Sequence, residues 1–191
     1  MKKGVLSLAF ALVFGFTATA TEPIAEEKKE VNTETSKVTW KAYKVTGSHY
    51  GSIALKSGAL MFDEGKLTGG EFTVDMGTIN TEDLEGDSKG KLDGHLNSAD
   101  FFDTANHTSS TLKFTSVKAT GKNSYDVTGD LTIKGITKSI TFNVSVYGSK
   151  ATATLKVDRT NYDVKYGSTL FGAAADKAIY DEFDLVVDLE F

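Results

Sequence analysis

The chain has 191 residues, of which 40% are hydrophobic, 18 are glycine, one is proline and none is cysteine. This composition indicates a folded globular domain and excludes disulfides, thiolate metal sites and cysteine nucleophiles. The formal charge is −5 and only one basic residue is an arginine, so binding of nucleic acid through a basic face is not expected.

The first twenty residues have the three parts of a secretory signal peptide. Two lysines near the start precede an apolar run over residues 5–16, and Ala18-Thr19-Ala20 offers small residues for cleavage. The apolar run is shorter than the roughly 20 residues that span a bilayer. We therefore predict a signal peptide over residues 1–20 and an exported protein, periplasmic or secreted, without a lipid anchor. Residues 21–36 are polar and aperiodic, and we predict a flexible leader there.

From residue 37 onward, apolar and polar residues alternate with the period of two that is typical of β-strands. Hairpin-type turns such as Asp63-Glu64-Gly65 separate the alternating segments, and no proline follows position 23. At Gly58 the alternation slips, which predicts a β-bulge. The eight predicted strands cover residues 37–44, 52–64, 66–76, 111–118, 124–133, 137–147, 150–160 and 183–191.

The short links between these strands favour an all-β fold, an eight-stranded antiparallel barrel without exposed edges. A barrel of this size has room for side chains or for one small ligand. Residues 81–106 show no strand pattern, and residues 87–97 could hold a short helix. We predict that this helical insertion caps one end of the barrel.

One sequence motif suggests catalysis but lacks the context that catalysis needs. Residues 86–90 fit G-x-S-x-G, yet the preceding acidic segment is unlike the buried strand of a nucleophile elbow. The three histidines lack the spacing of a zinc motif, and the nearby acidic residues lack the pattern of a calcium loop. We therefore expect no enzymatic activity, no catalytic residues, no metal and no cofactor.

Arg159 is the only arginine of the chain and lies on the predicted strand over residues 150–160, which has small inward residues. It is in phase with Ala151, Ala153, Leu155 and Val157, so its side chain is expected to point inward near one end of the barrel. A buried charge needs a partner. Two alternatives are open, an internal salt bridge and contact with a ligand head group. The alanines would leave space inside for an amphiphile unless aromatic side chains from other strands fill it.

Five sequence blocks together form a pattern that covers the domain from Trp40 to the C-terminus. In chain order they are TGSHYG at 46–51, LTGGEFTVDM at 67–76, KLDGHLNSADFF at 91–102, GDLTIKGITK at 129–138 and VDRTNY at 157–162. The pattern closely resembles the YceI family of bacterial exported lipid-binding proteins. The sequence departs from the family at residues 107–110, where other members have proline and an aliphatic residue, and at Asn161, where they have aspartate.

This resemblance implies a lipocalin-like barrel over residues 37–191 that encloses a polyisoprenoid or similar long-chain lipid, without catalysis. It also implies a head-group site formed by Arg159, His49 and Tyr162. We expect the inward apolar residues to contact the lipid tail. They are Trp40, Phe72, Phe114, Val127, Leu131, Ile133, Phe142, Val144, Leu155, Val157, Leu185 and Val187.

The alternative is a ligand-free structural or interaction barrel that acts through its surface. An open apolar interior would favour lipid binding, and a filled interior would favour this alternative. Transient membrane contact and homodimer formation are both compatible with the sequence.

Overall fold

A single curled antiparallel β-sheet, one short α-helix and four 3₁₀ turns account for the regular structure of residues 26–191, which are the residues that the computed structural model describes. The predicted signal peptide at residues 1–20 lies outside the described residues. The elements are β1 Glu27–Glu30, β2 Lys37–Lys44, β3 Gly47–Ile53, β4 Leu55–Asp63, β5 Lys66–Asp75, β6 Asn80–Thr81, α1 Gly86–Asn97, β7 Ser109–Ala119, β8 Ser124–Ile133, β9 Ile136–Tyr147, β10 Lys150–Asp158 and β11 Ile179–Glu190.

The strands pair in the order β1-β4-β5-β7-β8-β9-β10-β11-β2-β3-β6, and every described ladder is antiparallel. β3 and β4 stand near opposite ends of this order, yet Ala54 alone separates them in the chain. The sheet must therefore curl back toward itself to bring these two strands together. No ladder within residues 26–191 joins its two edges, β1 and β6, so the sheet resembles a half-barrel.

The predicted all-β fold is confirmed, but the predicted count of eight strands is wrong, because the structure has eleven. The extra strands lack the alternation on which the prediction was based. β1 consists of four charged residues, β3 is rich in glycine and polar residues, and β6 has only two residues. Backbone hydrogen bonds alone can pair such segments, so side-chain periodicity does not reveal them.

The segment before residue 37 belongs partly to the sheet, although the sequence predicts a flexible leader over residues 21–36. β1 pairs with β4, and Val31, just after it, is buried. The Val31 N–H donates to the Gly58 carbonyl at 2.8 Å, and the Asn32 N–H donates to the Glu190 carbonyl at 2.7 Å. The leader prediction therefore does not hold for these residues. Their charged side chains suit an edge strand, since charge discourages further pairing.

The insertion between β6 and β7 forms α1, as expected for residues 87–97. Three glycines give this helix a low intrinsic propensity, so contacts with the sheet must stabilise it. Leu96 is buried, and Phe101 and Phe102 after the helix join the same hydrophobic core. The Phe102 N–H donates to the Leu96 carbonyl at 3.1 Å, which turns this apolar pair inward.

The β-bulge predicted at Gly58 lies slightly earlier in the chain. The register between β4 and β5 shifts between Leu55 and Ser57, and again between Met61 and Phe62. A bulge increases the local bend of a strand. The first shift lies directly after Ala54, the residue between β3 and β4, and helps the sheet to curl.

Candidate ligand-binding cavity

The concave face of the sheet encloses a cavity of about 130 Å³. One buried water molecule needs only about 10–15 Å³, so side chains do not fill this part of the interior. The sequence did not decide between an open interior and one filled by side chains, and the structure shows an open one.

The cavity wall is almost entirely apolar. Twenty-five residues border it, none of them is charged, and only Ser110, Thr111 and Thr152 carry a hydroxyl. The Ser110 hydroxyl is already used, since it donates to the Thr132 carbonyl at 2.7 Å. A charged group placed inside would lose its hydration without gaining an oppositely charged partner. The wall is therefore suited to hydrocarbon.

Most residues predicted to contact a lipid tail do border this cavity. Val127 and Val157 are exceptions, because both are buried in the core without forming part of the cavity wall. The predicted residues that line the cavity are Trp40, Phe72, Phe114, Leu131, Ile133, Phe142, Val144, Leu155, Leu185 and Val187.

Several lining residues were not predicted. Val38, Leu60 and Phe183 share the inward phase of their strands, so the alternation that identified their neighbours could have identified them too. Phe102 also borders the cavity but follows α1, where no strand alternation exists. Its position depends on how α1 packs against the sheet, which periodicity does not show.

The Arg159 side chain lies outside the cavity wall and makes four hydrogen bonds to protein groups. Its Nε donates to the Tyr180 carbonyl at 3.1 Å, its Nη1 to the Val164 carbonyl at 2.7 Å and its Nη2 to the Ile179 carbonyl at 3.0 Å. Nη2 also lies 3.4 Å from the Asp181 carboxylate, and the side chain is 3% exposed. The structure thus favours internal pairing over the predicted head-group contact.

The Arg159 guanidinium stays positively charged although it is buried. Burial lowers the pKa of Arg159, while the nearby carboxylates of Asp181 and Asp158 act in the opposite direction. Arginine loses its proton only at very high pH, so the group stays cationic. The hydrogen bonds of this permanently charged group therefore join the segment after β10 to the start of β11.

The other two predicted head-group residues do not border the cavity either. His49 Nδ1 lies 2.8 Å from the Asp83 carboxylate. Tyr162 is buried, its hydroxyl finds no partner within residues 26–191, and burial raises its pKa to about 12. The expected cluster of Arg159, His49 and Tyr162 therefore does not form part of the cavity wall.

Two aspartates attach the segment that carries α1 to the neighbouring strands. Asp83 accepts from the Tyr50 N–H at 3.0 Å as well as facing His49, and Asp93 accepts from the Thr81 N–H at 2.8 Å. Burial alone would raise the pKa of Asp83, but the Tyr50 and His49 hydrogen bonds outweigh it and hold the pKa below its ordinary value. The same balance, with the Thr81 N–H and Lys89 as partners, lowers the pKa of Asp93.

These depressed pKa values predict that acid loosens the α1 segment. A carboxylate with a lowered folded-state pKa stabilises the fold above its unfolded pKa of about 4, and this stabilisation is lost as the pH falls further. Intrinsic amide exchange slows as the pH falls, so the readout is the protection factor, the intrinsic rate divided by the observed rate at the same pH. The protection factors of the α1 amides should therefore fall below about pH 4 before those of the β8 amides do. In the Asp83→Asn Asp93→Asn variant, the α1 amides should have lower protection factors near neutral pH and a flatter pH dependence of protection. Identical profiles for the variant and the parent would contradict this assignment.

The structure places the G-x-S-x-G motif at the start of a helix that no strand directly precedes. Residues 86–90 form the start of α1, and Ser88 is exposed. No cluster of three metal-ligating side chains occurs in the described part of the chain. Within residues 26–191, no helix has both the length and the hydropathy that crossing a membrane requires.

A curled antiparallel sheet around an open apolar cavity defines the class of β-sheet proteins that can enclose a small ligand. The chain belongs to the YceI-like family, because the family model described as "YceI-like domain" matches residues 30–191. The resemblance noted in the sequence is thereby confirmed.

Named relatives support this membership. The chain is 33% identical over 149 residues to "Protein YceI" of Escherichia coli O157:H7, which covers 78% of this chain and 74% of the relative. It is 33% identical over 99 residues to a "UPF0312 protein" of Ectopseudomonas mendocina, covering 52% of this chain and 50% of the relative.

Two solved structures share the fold. BcnA of Burkholderia cenocepacia superposes with a TM-score of 0.65 at 23% identity, covering 83% of this chain and 98% of BcnA. The YCEI protein of Campylobacter jejuni superposes with a TM-score of 0.56 at 19% identity, covering 100% of this chain and 98% of that protein. At these identities the likeness establishes the fold.

Proposed function

We propose that this protein binds the hydrocarbon chain of a polyisoprenoid or similar long-chain lipid in its cavity and sequesters or carries it without catalysis. The observation that carries the proposal is the open cavity, which has no charged residue in its wall. Each methylene group moved from water into such a site contributes about 0.8 kcal/mol. A chain of a few isoprene units would therefore gain more than any single polar contact provides.

The composition of the wall also supports binding rather than catalysis. Among residues 26–191, no histidine, acidic residue, lysine, arginine or tyrosine borders the cavity. General acid–base chemistry needs such a group within hydrogen-bonding distance of the substrate. A ligand in this cavity would contact side chains that hold it without transferring protons.

Export forms part of the same proposal. A carrier with a cleaved signal peptide over residues 1–20 would work outside the cytoplasm, where an apolar chain has to be shielded from water between membranes. We propose a periplasmic or secreted location on the strength of that sequence signal. Contact with a membrane would then be transient, during uptake and release of the lipid.

Trp40 provides a direct test, because it is the only tryptophan of the chain, borders the cavity and is 7% exposed. The protein is first freed of lipid by organic extraction and refolding. Titration with geranylgeraniol should change the Trp40 emission and saturate at one lipid per protein. A short alcohol such as butanol, which offers few methylenes, should give no saturable change. A surface-acting barrel would show neither an emission change nor retention of geranylgeraniol on gel filtration.

A further inference from the structure

Four glycines of the concave face lie beneath large side chains that border the cavity. Their φ angles lie outside the left-handed region, unlike those of the turn glycines, so backbone conformation does not require glycine at these positions. The remaining reason for glycine at these positions is that a side chain would have no space. These glycines, here called the recess glycines, are Gly51, Gly58, Gly70 and Gly129.

Two phenylalanines occupy the recesses in β4 and β5. A methyl group on Gly58 would lie 2.6 Å from Cδ1 of Phe72, its direct partner across the β4–β5 ladder. A methyl group on Gly70 would lie 2.7 Å from Cε2 of Phe114. Both distances are far below the roughly 3.5–4.0 Å of normal carbon contacts. Each ring therefore rests against the backbone where a side chain would otherwise stand.

The same arrangement occurs at two further positions of the wall. Gly51 pairs with Trp40 across the β2–β3 ladder, and a methyl group there would lie 2.8 Å from Cζ2 of the indole and also collide with the Asn80 carbonyl. A methyl group on Gly129 would lie 3.0 Å from Cδ1 of Leu112. All four side chains over recess glycines border the cavity.

The phenylalanine rings over these recesses continue as a row along the wall. The Phe72 and Phe114 ring centroids are 5.6 Å apart, and those of Phe114 and Phe142 are 5.8 Å apart. A ring displaced from its recess has no free space on the wall beside it, because the next ring is already in contact. It would have to move into the cavity.

We propose that the recess glycines set the bore of the cavity and thereby the longest and bulkiest hydrocarbon chain that the protein accepts. This inference rests on the proposed function, since the width of the cavity limits binding only if a hydrocarbon chain enters it. Aromatic residues would otherwise fill the interior of a sheet this strongly curled. The glycines let these rings lie against the wall, so the interior stays open while its surface remains apolar.

The test compares Gly70→Ala with the parent protein in binding a series of isoprenoid alcohols, from farnesol through geranylgeraniol to solanesol. The added methyl should push Phe114 into the cavity and remove room for about two methylenes. Binding of the longest alcohol that the parent retains should weaken about ten-fold. Farnesol should bind within about three-fold of the parent value, because a shorter chain can avoid the narrowed section.

Two further variants complete the comparison. Gly69→Ala is the matched control, because it adds the same methyl one residue away, where the nearest neighbour is the Met61 side chain at 3.3 Å, and it should bind like the parent. Gly70→Ala combined with Phe114→Leu should restore binding of the long alcohol. If Gly70→Ala does not fold, Phe114→Leu alone decides the question, because it should widen the cavity and bind solanesol several-fold more tightly than the parent.

The outcomes separate the two claims. Parent protein that binds none of the alcohols would overturn the proposed function. Parent protein that binds them, with an unchanged length preference in Gly70→Ala and in Phe114→Leu, would overturn the role of the recess glycines alone. An equal loss for every alcohol in Gly70→Ala, without rescue by Phe114→Leu, would show that Gly70 serves only the folding of the sheet.

Discussion

Arg159→Met should lower the free energy of unfolding by about 3–5 kcal/mol, the usual effect of removing one partner from a buried charged network. The substitution leaves the carbonyls of Val164, Ile179 and Tyr180 without their donor. Asp181 also loses its cationic partner. Chemical denaturation of the two proteins measures this loss.

The lipid content of the folded fraction should not change in this variant, because Arg159 does not border the cavity. Lys156→Met is the matched control: Lys156 also pairs with carboxylates, Glu182 and Asp184, but its side chain is 58% exposed. Exposed pairs contribute little, so the unfolding midpoint of this control should stay close to that of the parent. A stable Arg159→Met protein that has lost its lipid would reverse our assignment and restore the head-group role.

Val144→Trp should strongly weaken lipid binding while the protein stays folded. Val144 borders the cavity, and its partner across the β9–β10 ladder is Ala153, a small residue that also borders it. An indole at this position can enter the open space, whereas added volume in a packed core costs about 1–3 kcal/mol in strain. We expect at least a ten-fold loss of affinity for geranylgeraniol with a small change in the unfolding midpoint.

Val186→Trp is the control for this prediction, since Val186 lies on β11 with 41% of its surface exposed and does not border the cavity. It should bind geranylgeraniol like the parent. A large drop in the unfolding midpoint of Val144→Trp with an unchanged lipid content would indicate a packed core at this position. Normal binding of geranylgeraniol by a folded Val144→Trp protein would place the ligand elsewhere.

Alternation predicted the main strands because one face of each strand is buried. In β8 the buried residues are Tyr125, Val127, Gly129, Leu131 and Ile133, at every second position. The strands that the prediction missed carry no such signal. β1 is held by its backbone pairing with β4 rather than by an apolar face, and single-sequence patterns do not record backbone pairing between distant segments.

Alternation also shows which way a side chain points but not what lies in front of it. Val127, Val144 and Val157 all face the interior, yet only Val144 borders the cavity. The direction of a side chain does not show whether other side chains already fill the space in front of it. The cavity could therefore be anticipated as a face of the sheet, but its exact wall could not.

Of the two alternatives left open for Arg159, the structure shows internal pairing, and the reason is local. The inward phase assumed that the strand continues to residue 160, but β10 ends at Asp158. The Asp158 carboxylate accepts from the Thr160 N–H at 2.9 Å and begins a 3₁₀ turn over Arg159–Tyr162. This turn directs the guanidinium toward the Val164 carbonyl and the carbonyls at the start of β11 rather than into the cavity. An aspartate followed by a turn is a capping signal, and it could have been weighed against the strand pattern.

The central claim is that a long-chain lipid occupies the cavity, and native mass spectrometry of the protein purified from its own host tests it most directly. We predict a mass excess of one non-covalently bound lipid per chain, lost on organic extraction, and a marked reduction of this excess in Val144→Trp but not in Val186→Trp. A parent protein that carries no extractable lipid and retains none after incubation with isoprenoid alcohols would contradict the account.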